Sequence, residues 1–290
     1  MLKHWLQASR PKTLVASFLP VVAGFLLAYE QSPMVSKLVG FFCLLYCLLI
    51  QIGTNLANDY FDFIKGADSK RENAPVRMVS SGIIKPRTML VASLFVFFIS
   101  FVLGIYIMNS VDGSPYLILV GIFSVIFGIG YTAGPFSIAY NGMGDVFVVI
   151  FFGFVAVLST QYVTILSVGL DWKPDWLLPL GVGFVINNLL VVNNYRDFKE
   201  DRVVGKKTLV VILGKRFGLV LFLVGVLIST LLIPILVPSA WPTIFLLPFG
   251  IFSFWRLPKA LTRIDYDKIL SVSAATVMGY LVCLLLGYLG

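Results

Sequence analysis

The stretch Asn55-Leu-Ala-Asn58-Asp59-Tyr60-Phe61-Asp62-Phe63-Ile64-Lys65-Gly66 closes an apolar run that begins near residue 37. A second apolar run closes on Asn193-Asn194-Tyr195-Arg196-Asp197-Phe198, 135 positions after Asn58. Carboxylates and amides at the end of a lipid-spanning helix are costly unless they pair, meet water or hold a metal. A matched pair of such clusters therefore points to one shared polar site.

The rest of the chain supplies the apolar frame. Of its 290 residues 59% are hydrophobic and only 12% charged, and the mean hydropathy is +0.95. That leaves too little polar surface for a soluble globule and marks an integral membrane protein. Runs long enough for a hydrocarbon core of about 30 Å fall at 13–31, 37–57, 88–109, 115–132, 144–168, 176–194, 217–237, 241–257 and 269–289. They predict an all-α bundle of nine membrane helices in one domain, with pseudo-repeat halves at about 1–135 and 136–290. The segments 115–132 and 241–257 are short and interrupted by Pro or Gly, so they are the weakest spans.

Basic residues orient the bundle, because Lys and Arg in short loops stay on the cytoplasmic side. Alternate loops place Lys3, Arg10 and Lys12, then Lys65 to Arg87, Arg196 to Arg216, and Arg256 to Lys268 on one side, against Lys37 and Lys173 on the other. This bias predicts a cytoplasmic N-terminus and puts both Asn/Asp clusters at the cytoplasmic face of a cell inner membrane. No small-residue cleavage pattern follows the N-terminal Met1-Leu-Lys-His-Trp, so the first helix is expected to be retained. Cys43, Cys47 and Cys283 lie inside spans and read as packing residues. The single histidine, His4, has no His or Cys companion, which argues against zinc.

A formal charge of +8 suits anionic lipid, and it also suits an anionic substrate; no feature points to nucleic acid. Lys65, Lys70, Arg71 and Arg77 alternate with Asp62, Asp68 and Glu72, and Arg196 to Lys207 alternate with Asp197, Glu200 and Asp201. Mixed charge of this kind fits a metal-bridged phosphate: carboxylate oxygens hold Mg²⁺, and Lys or Arg neutralise the remaining charge. If the second helix continues past its apolar part, Asn55, Asp59 and Asp62 fall at i, i+4 and i+7, with Asn58 one turn before Asp62. Gly66 then marks the helix end, with Asp68 on the loop beyond. Asn193, Asp197 and Asp201 form a similar stripe at i, i+4 and i+8. Helix caps and solvated loop residues would account for either cluster alone. They do not account for the recurrence of Asn-x-x-x-Asp, with Tyr two residues after the first Asn, at the same membrane face.

These motifs, together with Pro75-Val76-Arg77, Ser81-Gly82 and the run Asp201-Arg202-Val-Val-Gly205-Lys206-Lys207-Thr208-Leu209, resemble the two aspartate-rich motifs of the UbiA superfamily of intramembrane aromatic prenyltransferases. The second motif and the entry Trp5, Arg10-Pro11-Lys12-Thr13 are most similar to the 1,4-dihydroxy-2-naphthoate polyprenyltransferase branch. The resemblance implies helices around a central cavity capped by two Asp-rich cytoplasmic loops. It also implies Mg²⁺-dependent transfer of a polyprenyl group from its diphosphate to an aromatic acceptor, with decarboxylation to demethylmenaquinone. Residue by residue, it places Asn58, Asp59, Asp62, Asp68, Asn193, Asp197 and Asp201 at the metal, with Asp62 and Asp197 central to catalysis. Lys65, Arg77, Arg196 and Lys207 fall at the diphosphate, with Lys12 a weaker candidate there; Arg10, Tyr131, Asn141 and Asp145 are candidates for the acceptor.

Two departures stand out: Ala74 where Gly is expected, and Asn141 where Arg or His is expected before the Gly-x-Gly of the third cytoplasmic loop. The second bears on which acceptor is bound, so 4-hydroxybenzoate, homogentisate, a glyceryl phosphate or a porphyrin compete with the naphthoate. A transporter is the reading from another class, but its polar groups would sit near the membrane midplane rather than in loops at one face.

Overall fold

The computed structural model describes residues 1–66 and 77–290, so the expected ligand Asp68 and the Lys12 side chain lie outside the described residues. The described chain is almost entirely helical. A short helix α1 (Leu2–Ala8) precedes α2 (Pro11–Gln31), α3 (Lys37–Ile64), α4 (Pro86–Ser110) and α5 (Tyr116–Gly130). Then come α6 (Gly144–Leu166), α7 (Leu177–Arg196), the short α8 (Phe198–Val203) and α9 (Leu209–Leu213), α10 (Lys215–Leu236), α11 (Pro238–Lys259) and α12 (Arg263–Leu289).

Among the described residues eight of these helices are long and apolar enough to cross a membrane. The ninth expected span, α5, has only 15 residues, about 22 Å at 1.5 Å per residue. Its ends nonetheless reach opposite faces of the bundle. At one end Ser114 receives the Tyr162 hydroxyl oxygen as acceptor for its N–H, near Ser167, which accepts from Ser36. At the other end Thr132 donates to Asn58 in the acidic patch. The α11 span begins as a 3-10 helix over Pro238–Leu246, because Pro238 and Pro242 remove backbone donors. At α12 the helix starts six residues earlier than its apolar run: Thr262 accepts the Asp265 N–H, and Asp265 reaches back to Thr262, a reciprocal cap that holds a charged first turn.

Lipid is as apolar as leucine, so close packing rather than burial from water holds such helices together. The largest cluster of buried apolar side chains joins α2, α7 and α12 through Leu19, Ala23, Val182, Val185, Val277 and Tyr280. Glycines permit the closest crossings. A Cβ on Gly24 of α2 would lie 2.3 Å from the Val157 carbonyl of α6. One on Gly153 would lie 2.5 Å from the Pro179 carbonyl of α7. Gly153 sits in a π-helical stretch, Val149–Val155, which widens α6 where it meets α7.

Gly24→Val should therefore lower stability by about 1–3 kcal/mol through overpacking. Gly130→Ala, where nothing lies within 4 Å of the new methyl, should leave it unchanged. Thermal unfolding in detergent, read by intrinsic fluorescence, distinguishes the two.

Candidate active site

The apolar run of α3 does continue into its polar end, and Gly66 terminates it with φ +66°. The last two turns therefore present Asn55, Asn58, Asp59 and Asp62 from one rigid helix. Asp62 is 6% exposed and draws donors from two loops: Arg77 reaches Oδ2 at 2.5 Å and the Tyr140 hydroxyl reaches Oδ1 at 2.8 Å. Arg77 also donates to the Asn58 carbonyl at 3.2 Å, while the Asn58 amide oxygen accepts from Thr132 at 2.8 Å. Asp59 accepts the Met78 N–H on Oδ2 at 3.1 Å, and its buried Oδ1 has no hydrogen-bond partner among the described residues. Arg10 and Arg77 are the cations acting on it. Arg10 holds a left-handed backbone, φ 51°, at the entry to α2.

The second patch keeps its stripe across a helix junction. Asp197, at the C-cap of α7, donates its N–H to the Asn193 carbonyl at 2.9 Å, and the Asp201 N–H donates to the Asp197 carbonyl at 2.8 Å. Asn193 donates its amide to the Leu189 carbonyl one turn back. Arg196 grips Asp197 in bidentate fashion, at 2.6 and 3.0 Å, and lies 3.9 Å from Asp267 of α12. The Asp201 side chain is fully buried beside the Lys206 ammonium at 3.5 Å.

Lys207, expected at the diphosphate, follows Lys206 directly in the chain. Its side chain is exposed, and what it contributes is its backbone N–H, donated to the Tyr140 carbonyl at 3.1 Å. Lys206 is the lysine that turns inward, and its charge acts on Asp62 and Asp145 as well as Asp201. The turn at Gly205, φ +74°, decides which of the two adjacent side chains faces the site. Asn141 is likewise exposed, and its amide donates to the Ser137 carbonyl at 2.8 Å. It shapes its own loop instead of facing the interior.

Tyr131, Asp145 and Lys65 complete the site. Burial pushes the Tyr131 phenol up, and the nearby carboxylates Asp145, Asp62 and Asp201 push it further. One phenol thus feels acids from α3, α6 and α8, which brings the two patches into one neighbourhood. Asp145 is 4% exposed, with Asn187 of α7 facing it. Lys65 donates to Ser137 at 2.7 Å and lies 4.2 Å from the Tyr140 ring centre. Partial desolvation lowers its ammonium below the ordinary lysine range, against the pull of Asp62. Tyr140, Lys206 and Asn187 thus join the residues expected from sequence. Lys206 stands there only as one charge in an alternating run, and Asn187 lies unremarked inside the apolar run 176–194.

Beneath Tyr131 lies an apolar cavity bounded by α2 to α6 and partly open at its side. Phe127, Phe147 and Phe151 line its polar end, with ring centres 5.0 to 5.6 Å apart. The site thus joins an acidic and basic rim to an apolar, aromatic-lined chamber.

The rim offers carboxylate and amide oxygens without imidazole or thiolate, a donor set for a hard cation such as Mg²⁺. Among the described residues no three Asp, Glu, His or Cys side chains gather tightly enough to cage a metal by themselves. That arrangement fits Mg²⁺, which keeps several waters and is held by one or two carboxylates plus substrate phosphates. The buried Asp59 Oδ1 is an oxygen of this kind.

Comparison with known proteins places these features in a family. Residues 17–285 match the UbiA prenyltransferase family. A 1,4-dihydroxy-2-naphthoate octaprenyltransferase of Haemophilus influenzae is 34% identical over 75% of this chain and 71% of its own length. The Escherichia coli protein of the same name is 35% identical over 73% and 68%. Among solved structures, a UbiA homolog from Archaeoglobus fulgidus bound to GPP and Mg2+ superposes with a TM-score of 0.65, at 15% identity, over 97% of this chain and 99% of that one.

The two adjacent lysines yield a direct test. Lys206→Met should weaken binding of inorganic diphosphate in the presence of Mg²⁺ about tenfold, or ~1.4 kcal/mol, whereas Lys207→Met should stay within about twofold. Isothermal titration of the detergent-solubilised protein measures both.

Proposed function

Because the chain belongs to the UbiA prenyltransferase family, we propose that it transfers a polyprenyl group from a polyprenyl diphosphate to 1,4-dihydroxy-2-naphthoate. The acceptor carboxyl leaves as CO2, diphosphate departs, and the product is the quinol form of demethylmenaquinone. The observation that carries this reading is the junction at Tyr131, where the acid-lined rim meets the apolar cavity. A diphosphate suits the rim, and a prenyl chain suits the cavity.

The protein is integral to the membrane. The charge bias of its loops favours a bacterial inner membrane with the rim facing the cytoplasm. On that face Arg77, Arg196, Lys65 and Lys206 supply cations for the diphosphate oxygens, and Asn58, Asp59, Asp62, Asn193, Asp197 and Asp201 supply oxygens for Mg²⁺. Bound Mg²⁺ would neutralise the charge that develops on the departing diphosphate. Arg77 and Lys206 are held in place by Asp62 and Asp201 before substrate arrives. Donors fixed in advance stabilise a leaving group without reorganising at the moment of reaction.

The allylic carbon, as it loses its leaving group, lies next to the phenylalanine trio. Their ring faces stabilise positive charge and keep water from capturing it. Tyr131 and Asp145 border the same point from the rim. They orient the acceptor ring so that its electron-rich carbon attacks, and Asp145 is placed to take a proton from an acceptor hydroxyl. Arg10, acting on Asp59 and Tyr131, closes this corner.

In proteoliposomes supplied with polyprenyl diphosphate and dihydroxynaphthoate, turnover should require Mg²⁺ and stop on chelation. Asp62→Asn and Asp197→Asn should each lower kcat at least 100-fold, a loss of about 2.7 kcal/mol or more of barrier reduction, while the protein remains inserted. Product formed at full rate by both variants would reject the assignment. Offering 4-hydroxybenzoate and homogentisate beside dihydroxynaphthoate fixes the acceptor: preference for either of the first two would move the protein to another branch of the family.

A further inference from the structure

A chain of hydrogen bonds runs from the rim down the wall of the apolar cavity and ends on one amide of α3. The Thr13 hydroxyl donates to the Arg10 carbonyl at 3.0 Å. Thr13 in turn accepts from the Asn55 amide nitrogen at 3.0 Å, and the same nitrogen donates to the Ser9 carbonyl at 2.9 Å. Asn55 is buried, and its amide oxygen accepts from Nε2 of Gln51, one turn further from the rim, at 3.4 Å. These bonds pin α2 to α3 at Asn55 and set the direction of Gln51.

That direction leaves one atom over. A glutamine side chain carries its donors on nitrogen and its acceptor sites on oxygen. The Gln51 nitrogen is turned to Asn55, and among the described residues no group donates to its Oε1. Gln51 lines the cavity, and it is the one amide among the side chains that do. Thr54 and Ser124 line it too, but they give their hydroxyl hydrogens to the carbonyls of Ile50 and Val120 in their own helices. An amide oxygen on an apolar wall is costly to leave without a partner. The group that satisfies it has to be a hydrogen-bond donor.

Of the two substrates only one qualifies. A polyprenyl diphosphate brings a hydrocarbon tail into the chamber and no donor with it. Dihydroxynaphthoate carries two hydroxyls on opposite sides of one ring. Gln51 lies two turns before Asp59 on α3, about 12 Å along the helix axis. An acceptor whose first hydroxyl meets Asp145 at the rim turns its second one into the chamber.

We propose that Gln51 is a specificity-determining residue for the acceptor, its amide oxygen taking a hydrogen bond from the hydroxyl opposite the one at the rim. A ring that lacks this second hydroxyl leaves the oxygen unpaired, and a site built to bond a substrate hydroxyl discriminates strongly against such an analogue. This inference rests on the prenyl-transfer reading above.

The test uses the full chain in detergent with Mg²⁺ and one polyprenyl diphosphate, offered either 1,4-dihydroxy-2-naphthoate or 1-hydroxy-2-naphthoate. Wild-type protein should favour the dihydroxy ring by about tenfold or more in kcat/KM. Gln51→Leu should cut that preference to within about twofold while the KM for the polyprenyl diphosphate stays unchanged. Gln51→Met, closer in shape, should do the same and carries the result if the leucine variant does not fold. Thermal stabilisation by each acceptor, with Mg²⁺ and inorganic diphosphate present, reads the same discrimination from binding alone. A preference that is absent in wild type, or kept by both variants, overturns the proposal and leaves water as the partner of Gln51. A loss falling equally on both acceptors and on the polyprenyl diphosphate marks a structural role and overturns it as well. Wild-type protein that transfers instead to another hydroxylated ring rejects the naphthoate reading, and comparing that ring with its deoxy analogue in the same variants still decides the role of Gln51.

Discussion

A carboxylate at the end of a membrane helix has to find partners before the helix can be placed there, and Asp62 finds them in two separate loops. Arg77 comes from the segment that follows α3, and Tyr140 comes from the segment between α5 and α6. One side chain therefore ties three parts of the bundle to a single point on the polar face. Removing one member of a buried pair of this kind leaves a charge without compensation, at a cost of about 3–5 kcal/mol. The same pairing holds Arg77 where an anionic group would meet it. Folding and binding thus draw on one contact, and the mouth of the apolar cavity lies beside it.

The second patch repeats the arrangement in a different form. Arg196 and Asp197 are adjacent in sequence and close on each other in a fork, and Asp267 of α12 lies near the guanidinium. Arg263, one turn before Asp267 on the same helix, lies 3.7 Å from that carboxylate. Lys215 rests on the face of Tyr195 at 4.5 Å, a contact that anchors the start of α10 to the end of α7. This side of the rim is held by cations at helix junctions, and the first side by loops folded over a helix end.

Much of this was legible in the chain. The apolar runs located the helices to within a few residues, and the i, i+4, i+7 spacing put the acids of α3 on one surface, because α3 continues to Ile64. Other features depend on local turns that spacing does not encode. The choice between Lys206 and Lys207 hangs on the φ of Gly205, and the outward direction of Asn141 follows from its bond to Ser137. Tyr140 carried no signal, because a lone tyrosine in a loop is common and only tertiary contact sets it against Asp62. The first six residues of α12 were missed because its capped opening turn is charged, and apolar periodicity cannot see a helix held by its cap.

The backbone bridge between Tyr140 and Lys207 has a mechanical consequence. It fastens the strap that carries the Asp62 partner to the strap that carries Lys206, so neither can lift alone without stranding an N–H and a carbonyl. A departing anion that needs these straps to part would have to displace them together. A change in either strap would then be felt as altered exit kinetics on both sides of the rim.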